Sequence, residues 1–312
     1  MTSTSYAVSI PQILDGDFDA AGVRDYLVRA EELGFEGAWT SEQTVGGAAM
    51  LAPLELLSWA AACTGRLRLG VAVIVSSLHD PLHLAAAATS VDRLSHGRLD
   101  LGVGSGGDFR PFAAFGVARE TFIASYTEGI DLMKAAWADD PTVTFHGRFR
   151  EVEGVSIPLK PVQRPHPPLW FGGGAPKALA RAVRLGDGFM GAGSSTTAHF
   201  RGAAATIRDE LARQGRDAAG FRIGKRVYVA VDDDPARARR RADEGLDRIY
   251  GALTARFGDV AVTGTPEQVA DGIAEVVAAG AQTVLLNPLG HDVAADREQV
   301  ERLHADVLPR LR

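Results

Sequence analysis

The sequence predicts a (β/α)8 barrel, the TIM-barrel architecture, and two observations support this prediction. Eight short apolar runs alternate with longer segments of helical periodicity along the 312 residues. Most of these runs are continuously apolar, which is typical of parallel strands that are covered on both faces. Eight such β-α units favour one barrel over a doubly wound open sheet, which is the alternative architecture. We therefore expect residues 1–312 to form a single barrel domain.

The predicted strands are short, and each is followed by a turn or a helical segment. In chain order they are Tyr6–Ile10, Gly37–Thr40, Leu67–Val75, Leu99–Val103, Leu169–Gly172, Gly188–Gly191, Arg222–Val231 and Thr283–Asn287. Functional side chains of such barrels gather at the C-terminal ends of the strands. The residues that follow each run are therefore the first candidates for a site.

Several helix ends are marked in the sequence. Asp80–Pro81 predicts an N-cap followed by a first-turn proline, and Gly97 predicts the end of the same helix. Thr265–Gln268 has a capping-box pattern, with Gly280 after the last turn. Between the fourth helix and the fifth strand, Val143–Pro168 is polar, rich in proline and extended. We interpret it as an insertion that serves as a lid or binding loop.

The composition argues against several classes of function. The net charge of −6 disfavours a nucleic-acid-binding surface, which is usually basic. Arg237 and Arg239–Arg241 follow the acidic run Asp232–Asp234 and indicate a solvated helix face. Cys63 is the single cysteine, and no apolar segment approaches the roughly 18 residues of a membrane span. We expect a cytoplasmic protein that binds neither nucleic acid nor membranes.

Glycines and hydroxyl side chains dominate the predicted strand ends. Gly104–Gly107 follow strand four, Gly172–Gly174 follow strand five, and Ser194–Ser195 follow strand six. The strand ends carry neither the converging His and Asp ligands of a zinc hydrolase nor a Gly-x-Ser-x-Gly elbow. This pattern favours a cofactor enzyme whose backbone approaches a planar, anionic ligand, and no metal site is predicted.

The three glycines Gly172, Gly173 and Gly174 indicate where the anionic group binds. They let a ligand touch the main chain, and the next residues, Ala175–Lys177, open a helix. The N–H groups and the dipole at a helix N-terminus attract phosphate, and Lys177 adds a positive charge. A tight strand-helix turn, in which glycine merely permits the bend, is the alternative.

Four segments resemble the bacterial luciferase-like monooxygenase family, and they occur in the family's order over most of the chain. The segment Glu32–Gln43 resembles the second β-α unit, and Leu67–Gly107 resembles the third and fourth. The segment Pro165–Met190 resembles the fifth and sixth units, and Thr263–Leu286 resembles the last. The resemblance implies a barrel with an insertion that binds F420 or reduced FMN, and it implies a homodimer.

The resemblance also implies where the cofactor lies. A non-proline cis peptide at Ala72–Val73 would support the ring system, and Gly104, Ser105, Gly106 and Gly107 would line it. The phosphate loop would comprise Gly172–Gly174, with Ser194 and Ser195 nearby. The exit of strand two, which begins at Ser41, would also contact the cofactor.

The acid-base group departs from the pattern of F420-dependent relatives. Several of them carry an acidic residue followed by a histidine after strand two, whereas this chain has Glu42 followed by Gln43. Glutamine has no proton to give at neutral pH. Three alternatives stay open: Glu42 takes the role, His79 takes it, or solvent supplies the proton.

The favoured function is hydride transfer between F420 and a small organic substrate. The alternatives are a monooxygenase that uses reduced FMN and O2, and a flavin-binding protein without turnover. Trp39, Phe109 and Arg110 are the candidate substrate contacts, although Trp39 also fits a core position and Arg110 a surface salt bridge.

Overall fold

The computed structural model describes residues 4–14, 16–43, 48–107, 112–251, 254, 257 and 259–311. Its strands are β1 (Ser5–Ser9), β2 (Gly37–Thr40), β3 (Arg68–Val75), β4 (Leu99–Gly104), β5 (Thr142–His146), β6 (Glu151–Ser156), β7 (Leu169–Phe171), β8 (Gly188–Gly191), β9 (Arg222–Val231), β10 (Ala261–Gly264) and β11 (Thr283–Pro288). Its α-helices are α1 (Ala20–Glu32), α2 (Pro53–Cys63), α3 (Pro81–Leu94), α4 (Phe122–Trp137), α5 (Pro176–Leu185), α6 (Thr197–Arg213), α7 (Pro235–Tyr250), α8 (Pro266–Ala278) and α9 (Val293–Arg302).

Eight of these strands form a closed parallel barrel, which confirms the predicted fold class. The order around the barrel is β1-β2-β3-β4-β7-β8-β9-β11, and the ring closes because β9 pairs with β8 and with β11. β11 in turn pairs in parallel with β1. Four of these strands, β2, β4, β7 and β8, are buried at every residue, as expected of parallel strands that are covered on both faces.

The helix ends follow the predicted capping chemistry. The Asp80 side chain accepts hydrogen bonds from the backbone N–H groups of Leu82 and His83 at the start of α3. Gly97, just beyond the end of α3, has a φ of 82°. Thr265 and Gln268 form both hydrogen bonds of a capping box at the start of α8.

Two features were not predicted as regular structure. The first half of the insertion is an antiparallel hairpin of β5 and β6, in which Val143 and Val152 face the core. β10 pairs in parallel with Tyr228–Val231, the C-terminal part of β9, outside the ring of eight. β10 has only four residues, three of them half-buried, so its sequence lacks the apolar run by which the other strands were recognised.

The second half of the insertion is fastened to the outside of the barrel by a buried carboxylate. Asp92 of α3 is fully buried and accepts hydrogen bonds from the backbone N–H groups of Val162, at 2.6 Å, and Gln163, at 3.0 Å. The Gln163 side chain donates to the other Asp92 oxygen at 2.7 Å. Lys160 Nζ donates to the carbonyl oxygen of Ala136 at the end of α4. The return path to β7 is thus fixed to two helices.

Among the described residues, every helix is too short or too polar to cross a bilayer.

We expect Asp92→Asn to lower the free energy of unfolding by about 3 kcal/mol, because an amide nitrogen would face buried N–H donors. Denaturant unfolding followed by circular dichroism measures this loss. Asp271→Asn, an identical change at an exposed position of α8, is the matched control and should change stability by less than about 0.5 kcal/mol. Equal effects of the two substitutions would contradict this role of Asp92.

Candidate active site

A cavity of about 470 Å³ opens at the C-terminal ends of β2, β3, β4, β7 and β8. Its volume lies in the range of small-molecule and cofactor sites. The predicted site residues that line it are Ser41, Glu42, Ala72, Val73, Gly104, Ser105, Gly106, Gly107, Gly172 and Gly173. The lining residues that sequence reasoning missed are Val75, Met190, Gly191, Ala192, Gly193, Arg226 and Tyr250.

The floor of this cavity is a bulge in β3. The Ala72–Val73 peptide is cis, as the resemblance implied, and the register between β3 and β4 shifts between Val71 and Ile74. A Cβ on Gly104 would lie 2.7 Å from Val73 Cγ2, and a Cβ on Gly172 would lie 3.2 Å from Val73 Cγ1. The bulge therefore fits closely against strands that carry no side chain at these points.

The exit of β7 forms the predicted glycine junction. Gly173 has a φ of 124°, a conformation that L-residues with a Cβ rarely adopt. Gly174, Ala175 and Lys177 lie beyond the described lining of the cavity, on the path into α5, with Ala175 as its N-cap and Pro176 as its first residue. The free N–H groups of α5 begin where the glycines end, so the geometry suits an acidic group that leaves the cavity in this direction.

The exit of β8 is held by a buried lysine. Lys225 Nζ donates to the carbonyl oxygens of Ala192 and Ser195, and to Ser195 Oγ. Burial, followed by the charge of Arg226, lowers the pKa of Lys225 to about 7. Ser194 and Ser195 lie outside the described lining, next to Ala192 and Gly193, which line the cavity.

The exits of β7 and β8 approach each other at the start of α6. A Cβ on Gly174 would lie 2.9 Å from Nε2 of His199 in the first turn of α6. Thr196 caps this helix by accepting a hydrogen bond from the His199 backbone N–H. Two helix N-termini therefore follow the two glycine-rich exits, an arrangement that favours an anion.

Arg226 of β9 is the charged lining side chain that sequence reasoning missed. Its Nη2 donates to the carbonyl oxygen of Ala72, at 3.0 Å, and to that of Thr40, at 3.3 Å. Its Nε is buried and has no hydrogen-bond partner among the described residues. The available signal was two consecutive cations, Lys225 and Arg226, within a strand that is otherwise mainly apolar.

Glu42 and His79 form a pair at the edge of the cavity. Glu42 has a side chain only 3% exposed, and its Oε1 lies 2.7 Å from Nε2 of His79. Its other oxygen accepts a hydrogen bond from the Val75 N–H at 2.5 Å. The hydrogen bond to Glu42 raises the pKa of His79, against the effect of burial. Glu42 and His79, two of the three alternatives for the acid-base role, are therefore hydrogen-bonded to each other.

Gln43 lies outside the described lining of the cavity, although it follows Glu42 directly. Gln12 fixes the start of this segment, because its side chain donates to the Ser41 carbonyl oxygen and accepts from the Ser41 N–H. Gln12 is itself buried. The exit of β2 is thus held at Ser41 and again at Glu42.

The insertion lies beside this site and does not cover it. No described lining residue of the 470 Å³ cavity belongs to the segment 143–168. Glu128 of α4 accepts hydrogen bonds from the N–H groups of Arg148 and Phe149 at the hairpin turn. Arg150 lines a small separate cavity together with His79. The hairpin turn therefore approaches His79, the partner of Glu42, through this small cavity.

The candidate substrate residues differ in where they lie. Trp39 is 2% exposed and packs edge-on against Trp170, with ring centroids 5.3 Å apart. It also lines a second chamber of about 80 Å³, which shares Ser41 and Arg226 with the larger cavity. Phe109 and Arg110 lie outside the described residues.

The walls of the larger cavity suit a planar group with an acidic tail. Glycines at the ends of β4 and β7 leave backbone without side chains beside the bulge, and the helix N-termini favour the acidic end. Arg226 Nε is a buried donor without a hydrogen-bond partner among the described residues, and an acceptor atom of a bound molecule would satisfy it.

Comparison with known proteins agrees with this geometry. The family model described as luciferase-like monooxygenase matches residues 3–283. The uncharacterized protein y4vJ of Sinorhizobium fredii is 31% identical over 237 residues, which cover 72% of this chain and 67% of the relative. The F420-dependent glucose-6-phosphate dehydrogenase of Kineococcus radiotolerans is 29% identical over 231 residues, which cover 71% and 67%.

Solved structures share the fold over nearly the whole chain. The monooxygenase RslO1 from Streptomyces bottropensis superimposes with a TM-score of 0.86 at 23% identity, covering 99% of this chain and all of that one. The oxygenating constituent of 3,6-diketocamphane monooxygenase from Pseudomonas putida, solved with FMN, has a TM-score of 0.79 at 15% identity and covers 99% of both chains.

The family match and the barrel confirm the resemblance inferred from the four sequence segments. This chain belongs to the luciferase-like monooxygenase family, a family of oxidoreductases and monooxygenases.

Proposed function

We propose that this protein transfers a hydride between coenzyme F420 and a small organic substrate. The observation that carries the proposal is the glycine-walled cavity over the β3 bulge, with the Glu42–His79 pair at its edge. The 29% identical relative that is named as F420-dependent favours this cofactor. The homodimer and the cytoplasmic location implied earlier stay predictions.

The chain's own residues would hold the cofactor at two points. Ala72, Val73 and Gly104 would support its ring system, and Gly172–Gly173 with the start of α5 would bind its phosphate. When bound, the deazaflavin supplies a carbon that accepts or donates the hydride. Arg226, which already binds the Ala72 carbonyl, would donate from its buried Nε.

Glu42 is the proposed acid-base residue, because among the described lining residues of the cavity it is the one that carries a carboxylate. The Val75 N–H and His79 fix both of its oxygens, so its orientation is set before a substrate arrives. His79 lies behind Glu42 and acts as a positioning residue that holds a proton on Nε2. Gln43 takes no part in this proposal.

The adjoining chamber is the proposed place for the substrate. It shares Ser41 and Arg226 with the cofactor cavity, so a molecule in it would lie beside the ring system. Trp39 forms part of its wall, while Ser9 and Asn287, which are hydrogen-bonded to each other, supply polar groups. Its small volume fits part of a small molecule better than a polymer.

The second candidate is a monooxygenase that uses reduced FMN and O2. It is favoured by the structural relative that was solved with FMN. Because FMN also combines a fused ring system with a phosphate, the same walls suit it.

Titration of the purified protein with F420 and with FMN, followed by absorbance and fluorescence, tests the proposal. We expect saturable binding of F420 and substrate-dependent oxidation of its reduced form without oxygen. Saturable binding of FMN alone, with oxygen-dependent oxidation, would support the second candidate. Tight binding without turnover on any substrate would indicate a flavin-binding protein.

Gly173→Ala should weaken cofactor binding at least about tenfold, because the left-handed φ at this position strains a residue with a Cβ. Fluorescence titration measures the dissociation constant. Gly202→Ala is the matched control, since a Cβ on this helical glycine meets nothing within 4 Å. Unchanged affinity in Gly173→Ala, with a folded protein, would argue against a phosphate at the β7 exit.

Glu42→Gln should lower kcat by about 10²–10⁴-fold and leave the dissociation constant of the cofactor within about threefold of wild type. Glutamine keeps the size of the side chain but can neither accept nor release a proton at neutral pH. Stopped-flow reduction of the bound cofactor checks the rate. A kcat close to that of wild type would leave solvent as the proton source.

His79→Gln should change how stability depends on pH. His79 has a pKa raised above its ordinary value, so its contribution is complete below about pH 6.5 and is lost as pH rises through the raised pKa. We therefore expect the Tm difference between wild type and this variant to be larger at pH 6 than at pH 9. His83→Gln, at a side chain 94% exposed, serves as the control. A Tm difference independent of pH would contradict a protonated His79 paired with Glu42.

A further inference from the structure

Another cavity, of about 310 Å³, lies between α7 and the segment that follows β11. It is rich in guanidinium groups. Its charged and titratable lining residues are Asp232, Arg237, Arg240, Arg241, Glu244, Arg248 and His291. Four arginines therefore meet two carboxylates around one cavity, in a chain whose net charge is −6.

One of the two carboxylates already has a partner. Asp232 Oδ1 accepts hydrogen bonds from Nε and Nη2 of Arg237, at 3.0 and 2.8 Å. The Arg237 hydrogen bond, with a smaller contribution from Arg241, lowers the pKa of Asp232 to about 2, so this carboxylate stays ionised. Arg240 and Arg241 alone already exceed the charge of Glu244, the other lining carboxylate.

Arg241 is the side chain that points to a ligand. It is half-buried, and its Nη1 is buried without a hydrogen-bond partner among the described residues. A buried guanidinium N–H without an acceptor is costly, and such donors are almost always satisfied by protein, water or ligand. Arg240, one residue earlier, is exposed and makes no ion pair within the described part of the chain.

Arg239 shows what a solvated arginine of the same helix looks like. Its side chain, 50% exposed, pairs with Asp243 and Asp259 and does not line the cavity. The solvated face predicted for the arginine run therefore holds for Arg239, whereas Arg241 is directed to a cavity. Arg239 and Arg241 are two positions apart on α7, and each step along a helix turns the side chain by about 100° around the axis. The two side chains therefore point in different directions.

The arginine cavity adjoins the proposed substrate chamber. Gly245, Arg248, Leu289 and Gly290 line both of them. Asp296 lies on the chamber side, and burial raises its pKa to about 7 although Arg248 and Arg241 act against this. Near neutral pH this carboxyl is partly protonated, so it neutralises only part of the positive charge of the nearby arginines. An anion in the arginine cavity would thus be next to a molecule in the chamber.

We propose that the arginine cavity, centred on Arg240 and Arg241, binds an oxyanion, the phosphate or carboxylate group of the small substrate. The planar guanidinium group donates two parallel hydrogen bonds to either oxyanion, which suits this chemistry. That the anion belongs to the substrate rests on the proposed function. The anion site itself does not.

The probes are inorganic phosphate and acetate, titrated into the full-length cofactor-free protein, with sodium chloride at equal ionic strength as the reference. Calorimetry and Tm measure binding. We expect saturable binding of at least one oxyanion and no matching effect of chloride. R240Q/R241Q should lose at least about tenfold in affinity, and R240Q alone should lose part of it. The matched control R239Q should bind as wild type does.

A Tm response to the oxyanions no larger than that to chloride would overturn the proposal, as would equal losses in R239Q and R240Q. R240Q tests an exposed side chain, so the result stands even if R240Q/R241Q does not fold. The F420 and FMN titrations on the same samples separate the two proposals. Oxyanion binding without binding of either cofactor would refute the proposed function alone. Binding of a cofactor without binding of an oxyanion would refute the anion site alone.

Discussion

The β3 bulge determines the shape of the candidate site, and it requires neighbouring strands without side chains at the facing positions. A Cβ on Gly102 would lie 1.9 Å from the Val71 carbonyl oxygen, which no rotamer change could relieve. A Cβ on Gly104 or Gly172 would come within 2.7 or 3.2 Å of the Val73 side chain. The close approach of β4 and the glycine exit of β7 are therefore parts of one constraint, met by two glycines of β4 and one directly after β7.

Two neighbouring cations on β9 connect the opposite sides of this cavity. Lys225 binds carbonyl oxygens at the β8 exit, whereas Arg226 binds carbonyl oxygens at the end of β2 and in the β3 bulge. Consecutive side chains of a strand point to opposite faces of the sheet, so the two cations reach different sets of acceptors. Lys225 is buried and Arg226 is half-buried, and the hydrogen bonds to these carbonyl oxygens offset the cost of removing the cations from water.

The parts of the structure that depend on local chemistry could be predicted from the sequence. The continuous apolar strands, the capping residues Asp80 and Thr265, and the glycines at the strand exits all act through neighbours in the chain. The parts that depend on long-range contact could not. Glu42 and His79 are 37 positions apart, and only the register of β2 and β3 brings them together. Arg226 was overlooked for the same reason, because its acceptors lie on strands far away in sequence.

The buried Asp92 anchor has a consequence for variation within the fold. Since Asp92 and the Lys160 contact fix the segment that returns from the hairpin to β7, changes in the length of the β5–β6 hairpin need not disturb the register of β4 with β7. The hairpin turn, held by Glu128, shares a small cavity with His79. Evolution can therefore remodel the surroundings of the residues proposed to handle protons while the barrel that carries them stays the same.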